Sequence, residues 1–487
     1  MLQQKTITQN TTYYTLALVF QKILAFVYFT FLARFLGAED LGKYTFAFAF
    51  TTIFSVLVDV GLSQILTREI AKFRDKAKNI LSNVLGLKII LAVIIYGVVV
   101  LLVNLLGYPE LTKKLVYLTG LVMLLDNFSL TWWSTLRGHQ NLKYESISIS
   151  LFQIIVVTLG GILLYLGYGV IYLVLAMVIA STFNCVFGFF QVLYRLKLKP
   201  RVVMDKKILF TLLKMSIPFA LAGIFARLNT QIDTVFLSKL GCATQELCDT
   251  NVGVYSIATK ITLALHFIPL AFSAAIFPAM ANLFVTNKQK LAETFEKAMR
   301  YLIIIGLPLA IGVIALAPAF VPAVFGLEYM NSVLPLQILM ISLAGIFLTF
   351  PIGAFLNATS RQRRNTANIG IAVIINIILN LILIPKMIYT GAAIASLTST
   401  IVILALGLWV VPQVVKYNKK YVLISFLKSL FAALIMGIIL YSLINKLHFG
   451  ILILLGILIY FAVLFLVRGF RKRDITDLLI SMKIKKI

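Results

Sequence analysis

FQKILAFVYFTFLARFLGAEDLGKYTF, residues 20–46, belongs to an apolar run long enough to span a membrane, and it carries one cation, Lys22, near the middle of the span. A second cation, Arg34, follows twelve residues later, just before a short turn through Gly37 and Gly42. The same design returns in residues 225–257, FARLNTQIDTVFLSKLGCATQELCDTNVGVYSI, where Arg227 and Lys239 repeat the twelve-residue spacing. FLAR at 31–34 aligns with FLSK at 236–239, and LGKY at 41–44 aligns with VGVY at 252–255. A mid-membrane cation repeated in each half predicts two similar lobes facing each other across a cationic cavity.

Composition extends that reading to the whole chain. Of 487 residues, 61% are hydrophobic and only 13% charged, and the mean hydropathy is +1.00. Soluble domains are closer to half apolar and a quarter charged. The expectation is an all-α polytopic membrane protein without a sizeable soluble domain. A net charge of +27 would suit a nucleic-acid partner, but the cations lie between apolar spans, as the positive-inside rule requires, so no nucleic acid is expected. The polar N-terminus, with one Lys and no small-residue cleavage site, predicts no cleavable signal.

Fourteen spans are predicted, near 11–34, 43–66, 84–106, 115–136, 146–166, 170–194, 211–238, 253–284, 298–322, 333–357, 366–385, 390–412, 425–445 and 449–467. Pro269 and Pro278 predict a kink or break in the eighth. With the N-terminus in the cytoplasm, the even-numbered loops carry REIAKFRDKAK (68–78), RGHQNLK (137–143), RLKLKPR (195–201), KQK (288–290), RQRR (361–364) and KYNKK (416–420). The odd-numbered loops hold only Lys43, Lys113, Lys114, Lys386 and Lys446, a bias of roughly six to one that predicts cytoplasmic termini in the cell membrane. Spans 1 and 7 then run the same way, as parallel repeats. The resulting organisation is an N-lobe at 1–194, a cytoplasmic linker at 195–210, a C-lobe at 211–412, two appended spans at 413–467 and a basic tail at 468–487.

Ionisable groups at bilayer depth cost about 2.5–3.5 kcal/mol each, so each needs a reason. Lys22, Arg227 and Lys260 read as cations lining a water-filled cavity and binding an anionic group, with Asp59 and Asp233 among them. Arg donates bidentate hydrogen bonds to phosphate, while Lys supplies a mobile point charge. The competing reading is a set of structural ion pairs with Asp59, Asp126 and Asp233. Asp233 lies six residues from Arg227, beyond the spacing of a helical pair. Arg34 and Lys239 sit at the outer ends of their spans, where snorkelling explains them as well as function does. Gln21, Asn229, Gln231 and Asn282 suit sugar hydroxyls or helix stitching alike, and His266 suits a satisfied polar residue.

Cys242 and Cys248 share one predicted external loop, where a structural disulfide is permitted. No Cys/His cluster points to a metal. Trp132 and Trp133 beside Arg137 read as an aromatic belt at the cytoplasmic interface. No P-loop, glycine-rich nucleotide fingerprint, nucleophile elbow or zinc motif is present, so no cofactor is expected. Transport would be driven by an ion gradient (H+ or Na+), the membrane potential or the substrate's own gradient.

FLARFLGAEDLGKYTFAFAF at 31–50 and DVGLSQILTREIA at 59–71 resemble the opening of the polysaccharide-transporter flippases, in the superfamily that also holds MATE antiporters and the lipid II flippase. LRGHQNLKYESI at 136–147, DTVFLSKLG at 233–241 and VGVYSIATKI at 252–261 are similar to further segments of that family. The resemblance implies two six-helix lobes in a V, alternating access, and a polyprenyl-diphosphate-linked oligosaccharide as cargo. It also implies other polysaccharide-assembly membrane proteins as partners, and a role for spans 13 and 14 in holding the lipid tail. A MATE-type antiporter of cationic drugs would instead need membrane carboxylates, here Asp59, Asp126 or Asp233, and a cation-dominated cavity disfavours it. A membrane-embedded glycan ligase would need a substantial external loop, and none exceeds roughly a dozen residues.

Overall fold

The computed structural model describes residues 2–444 and 446–469, with side chains from Tyr13 onward. Most of the basic tail expected at 468–487 therefore lies outside the described residues. All regular structure among the described residues is helical, as hydrocarbon demands of a chain that must satisfy every N–H and C=O within its own segments. The helices are α1 (Leu2–Asp59), α2 (Leu62–Lys72), α3 (Ala77–Leu105), α4 (Glu110–Gly138), α5 (Lys143–Tyr165), α6 (Val170–Arg195) and α7 (Lys206–Leu237). There follow α8 (Gln245–Leu265), α9 (Phe267–Thr286), α10 (Lys288–Phe325), α11 (Val333–Ala358), α12 (Gln362–Val410), α13 (Lys419–Leu443) and α14 (Phe449–Leu466).

Twelve helical runs among the described residues are long and apolar enough to cross a membrane, against the fourteen spans expected. Two of the twelve, Tyr13–Lys72 and Gln362–Gln413, are 60 and 52 residues long, more than twice the ~20 that one crossing needs. Each long run contains a backbone break, at Gly37 (φ 75°, ψ 171°) and at Ile388 (φ 50°, ψ −128°). A break also falls in the predicted eighth span, at His266 between α8 and α9. Pro269 explains its place, since a proline cannot donate to the carbonyl four residues earlier, that of Leu265, and clashes with it.

The chain divides into two compact units. One comprises residues through Ser256 together with Ile377–Ala392, and the other comprises Ile257–Asn376 with the chain from Ala393 onward. One boundary between these units falls inside α8. The segment 195–210 is tied along α3: Arg201 N–H donates to Ser82 Oγ (3.1 Å) and Asp205 N–H to Asn83 Oδ1 (2.8 Å). Gly86 permits the approach, because a Cβ there would strike the Val203 carbonyl.

In the first unit, the apolar face of α2 (Leu62, Ile65, Leu66, Ile70) packs with Leu81, Leu136 and Val192 of α3, α4 and α6. Trp132 and Trp133 belong to this core, 7% and 4% exposed, and Trp133 Nε1 donates to Asn184 Oδ1 (3.2 Å). They are packing residues and not the interfacial belt expected from their neighbour Arg137. In the second unit, α13 packs on α10 through Ala432, Ala433 and Met436 against Ile303 and Leu307, and Tyr460 of α14 donates to the Ile304 carbonyl (2.9 Å).

Candidate functional site

Asp59 closes α1, and the chain turns there through two left-handed residues, Val60 (φ 46°) and Gly61 (φ 75°), before α2 begins. A β-branched residue is costly in that region, so the surrounding contacts must hold the turn. The Asp59 carboxylate accepts from the Ser63 hydroxyl in the first turn of α2, where a helix N-terminus favours negative charge. It also pairs with Lys88 Nζ at 2.6 Å. Lys88 lies eleven residues into α3, about 16 Å along it, and is fully buried. Its ammonium donates further to Thr131 Oγ1 (2.8 Å), the Asn127 carbonyl (3.1 Å) and Ser63 Oγ (3.2 Å). A membrane-buried ammonium is thereby paired and hydrogen-bonded, as its desolvation requires. The sequence reading missed Lys88. Its signal was an uncompensated carboxylate in one span and a cation in the next.

Asp233 and Asp126 also accept hydrogen bonds from neighbouring helices. Asp233, on α7, accepts from Tyr255 OH (3.0 Å) and Asn380 Nδ2 (2.7 Å), drawing α8 and the part of α12 before Ile388 onto α7. Asp126, on α4, accepts from Ser181 Oγ of α6 (2.9 Å). Lys22 of α1 and Arg227 of α7 behave differently: both are exposed, and neither makes an ion pair among the described residues. They share the first unit, whereas Lys260 stands half-buried in the second. Of the acids expected as alternative partners for these cations, Asp59 pairs with Lys88. His266 Nε2, at the α8–α9 break, is buried with no hydrogen-bond partner among the described residues, and its ring stands edge-on to Phe350.

Just past the end of α7, Lys239 lies 4.0 Å from the Tyr108 ring centroid and donates to Gln245 Oε1 (2.9 Å). Burial lowers the Lys239 pKa, and Asp249 pulls it back up. Burial raises that of Tyr108, whose hydroxyl is within 2.8 Å of Ser238 Oγ. Cys242 and Cys248 are joined in a disulfide with Cα atoms 5.4 Å apart, closing the turn into α8. Arg34 is exposed on α1.

The repeated glycines meet here. A Cβ on Gly42 would strike the Asp249 carbonyl, and one on Gly253 would strike the Ala38 carbonyl. Each glycine therefore packs on the residue four places before the other, so α1 and α8 cross with local two-fold symmetry at the aligned LGKY and VGVY segments. Small residues let helix backbones approach this closely.

At the other end of α1, Arg137 grips the buried Glu145 carboxylate through two N–H groups, Nε to Oε2 at 2.8 Å and Nη2 to Oε1. Beside it a cavity of about 550 Å³ opens between α1 and α5. Among the described residues no group of three or more His, Cys, Asp or Glu gathers as a metal site.

Residues 7–284 match the family described as "Polysaccharide biosynthesis protein". The capsular polysaccharide biosynthesis protein CapF of Staphylococcus aureus is 23% identical over 405 residues, covering 81% of this chain and 97% of the relative. The probable low-salt glycan biosynthesis flippase Agl15 of Haloferax volcanii is 25% identical over 391 residues, 79% of each chain. Among solved structures, the lipid II flippase MurJ in an inward closed conformation superposes with a TM-score of 0.76 at 18% identity, covering 92% of this chain and 97% of that one. That likeness establishes a shared helical fold.

Proposed function

We propose, from the premise that this chain belongs to the polysaccharide biosynthesis protein family, that it is an alternating-access flippase. Its cargo is a polyprenyl-diphosphate-linked oligosaccharide, moved from the cytoplasmic to the external leaflet for cell-surface glycan assembly. The observation that carries this reading is the state of Lys22 and Arg227, two cations on membrane-crossing helices that are exposed and make no ion pair among the described residues. A diphosphate cannot cross hydrocarbon unneutralised. Arg227 offers it a bidentate fork and Lys22 a mobile charge. Asp59 and Asp233, already engaged by Lys88 and by Tyr255 and Asn380, act as scaffold groups and not as ligands of the glycan. The same engagement counts against a drug antiporter, which needs a carboxylate open to a cation. The protein carries out transport, not catalysis.

The test is flipping of a fluorescent polyprenyl-diphosphate glycan in proteoliposomes, parent beside Lys22→Ala and Arg227→Ala. Both variants are expected to insert and fold normally and to lose at least tenfold in flipping rate, the equivalent of about 1.4 kcal/mol. Flipping at the parental rate in both would remove the cations from the site. Efflux of a cationic dye without lipid transport would replace the flippase with an antiporter.

A further inference from the structure

The segment LRGHQNLKYESI, 136–147, plays no part in the proposed transport site, yet its Lys143, Ser146 and Ile147 form part of one wall of the cavity between α1 and α5. The α1 wall is the helical face at 13, 16, 17 and 20, and the α5 wall is the face at 143, 146, 147, 150 and 151. Farther along, the two helices close: Tyr28 of α1 seats its hydroxyl where a Cβ on Gly160 of α5 would stand. The cavity is thus a wedge, open at the end where α5 begins and shut at Tyr28.

Its walls are apolar, through Leu16, Phe20, Ile147 and Leu151, all exposed to the surface. Its mouth holds Lys143, exposed and making no ion pair among the described residues. The nearest carboxylate on its helix, Glu145, is buried and neutralised by Arg137. The serines add no free donor, since Ser146 Oγ donates to the Leu142 carbonyl (2.8 Å) and Ser150 Oγ to the Ser146 carbonyl (3.2 Å). Among the described residues, what remains is one unneutralised positive charge at the head of an apolar groove about 12 Å long, from Lys143 to Leu151 along α5.

We infer that this wedge binds an anionic glycerophospholipid of the surrounding bilayer, its phosphodiester on Lys143 and the upper part of one acyl chain between Phe20 and Leu151. A single lysine matches the single charge of a phosphodiester. It falls short of a diphosphate, for which the chain has Lys22 and Arg227. The positive-inside bias puts this mouth at the cytoplasmic leaflet, where anionic lipid is met by juxtamembrane cations. The site needs only that the chain is embedded in a membrane, so it stands or falls apart from the cargo.

The experiment uses the full chain with Cys185→Ser and Ile147→Cys, labelled with bimane and reconstituted with brominated phosphatidylglycerol or brominated phosphatidylcholine at equal mole fraction. A control label at Ile154, exposed farther along α5, reports the general lipid belt. At position 147 phosphatidylglycerol is expected to associate about fivefold more strongly than phosphatidylcholine. In Lys143→Gln that preference falls to about one, while the label at 154 shows none in either protein. Ser150→Phe, which fills the groove, is expected to lower quenching by both lipids at 147. Equal quenching in the parent would reduce the wedge to ordinary lipid contact and overturn the inference. So would displacement of phosphatidylglycerol by polyprenyl phosphate, which would assign the groove to the carrier lipid, or a preference that survives Lys143→Gln.

Discussion

Burying Lys88 against Asp59 removes two full charges from water at bilayer depth. The pair persists because its groups are also hydrogen-bonded, by Ser63, Thr131 and the Asn127 carbonyl. Breaking such a pair leaves one buried charge without compensation and costs about 3–5 kcal/mol, whereas replacing both partners with apolar groups is close to neutral. Lys88→Met is therefore expected to lower the melting temperature in detergent sharply, and Asp59→Leu added to it is expected to restore most of the loss. Failure of the double variant to recover would mean that Asp59 is needed for the α1–α2 turn itself. Lys22 and Arg227 present the opposite case at the same scale, since an exposed cation without an acid is available to a ligand and contributes little to the fold.

Three glycines shape α1. Gly37 breaks it and Gly42 lets it cross α8, while Asp59, Val60 and Gly61 turn it into α2. The LGKY and VGVY segments were legible as a repeat, but their physical meaning was not. The crossing supplies it, because Gly42 and Gly253 are the two positions where a side chain would meet the partner's backbone. Backbone cannot rotate away as a side chain can, and overpacking costs about 1–3 kcal/mol. Gly253→Ala and Gly42→Ala are each expected to destabilise the folded protein by an amount in that range, read as a lowered thermal midpoint. A parental midpoint in both would contradict the crossing. Trp132 and Trp133 make the complementary point: flanking charge suggested an interface, and α6 covered them through Phe187, Phe189 and Asn184.

For the molecule as a whole, the loop charges carry the orientation. Single cysteines placed in a background lacking Cys185, at Gln140 and Arg361 on one side and at Glu110 and Glu328 on the other, are expected to divide cleanly. The first two should react with a membrane-impermeant thiol reagent only after the membrane is opened, and the last two in intact cells. The reverse pattern would invert the direction of transport proposed above.

Sequence alone determined that this is a helical multi-pass membrane protein of the polysaccharide biosynthesis family, and where nearly every span lies. Hydropathy, proline breaks and loop charge act locally along the chain, so they can be read without knowing which helices are neighbours. Only the tertiary structure decided which charge meets which. Asp59 takes Lys88 from the next span, Asp233 takes Asn380 from far along the chain, and Lys143 is left at the mouth of a wedge whose other wall is α1. Those choices depend on the rotation of each helix about its axis and on the close approaches that glycines such as Gly42, Gly160 and Gly253 permit. Both are set by packing between segments that sequence order keeps apart.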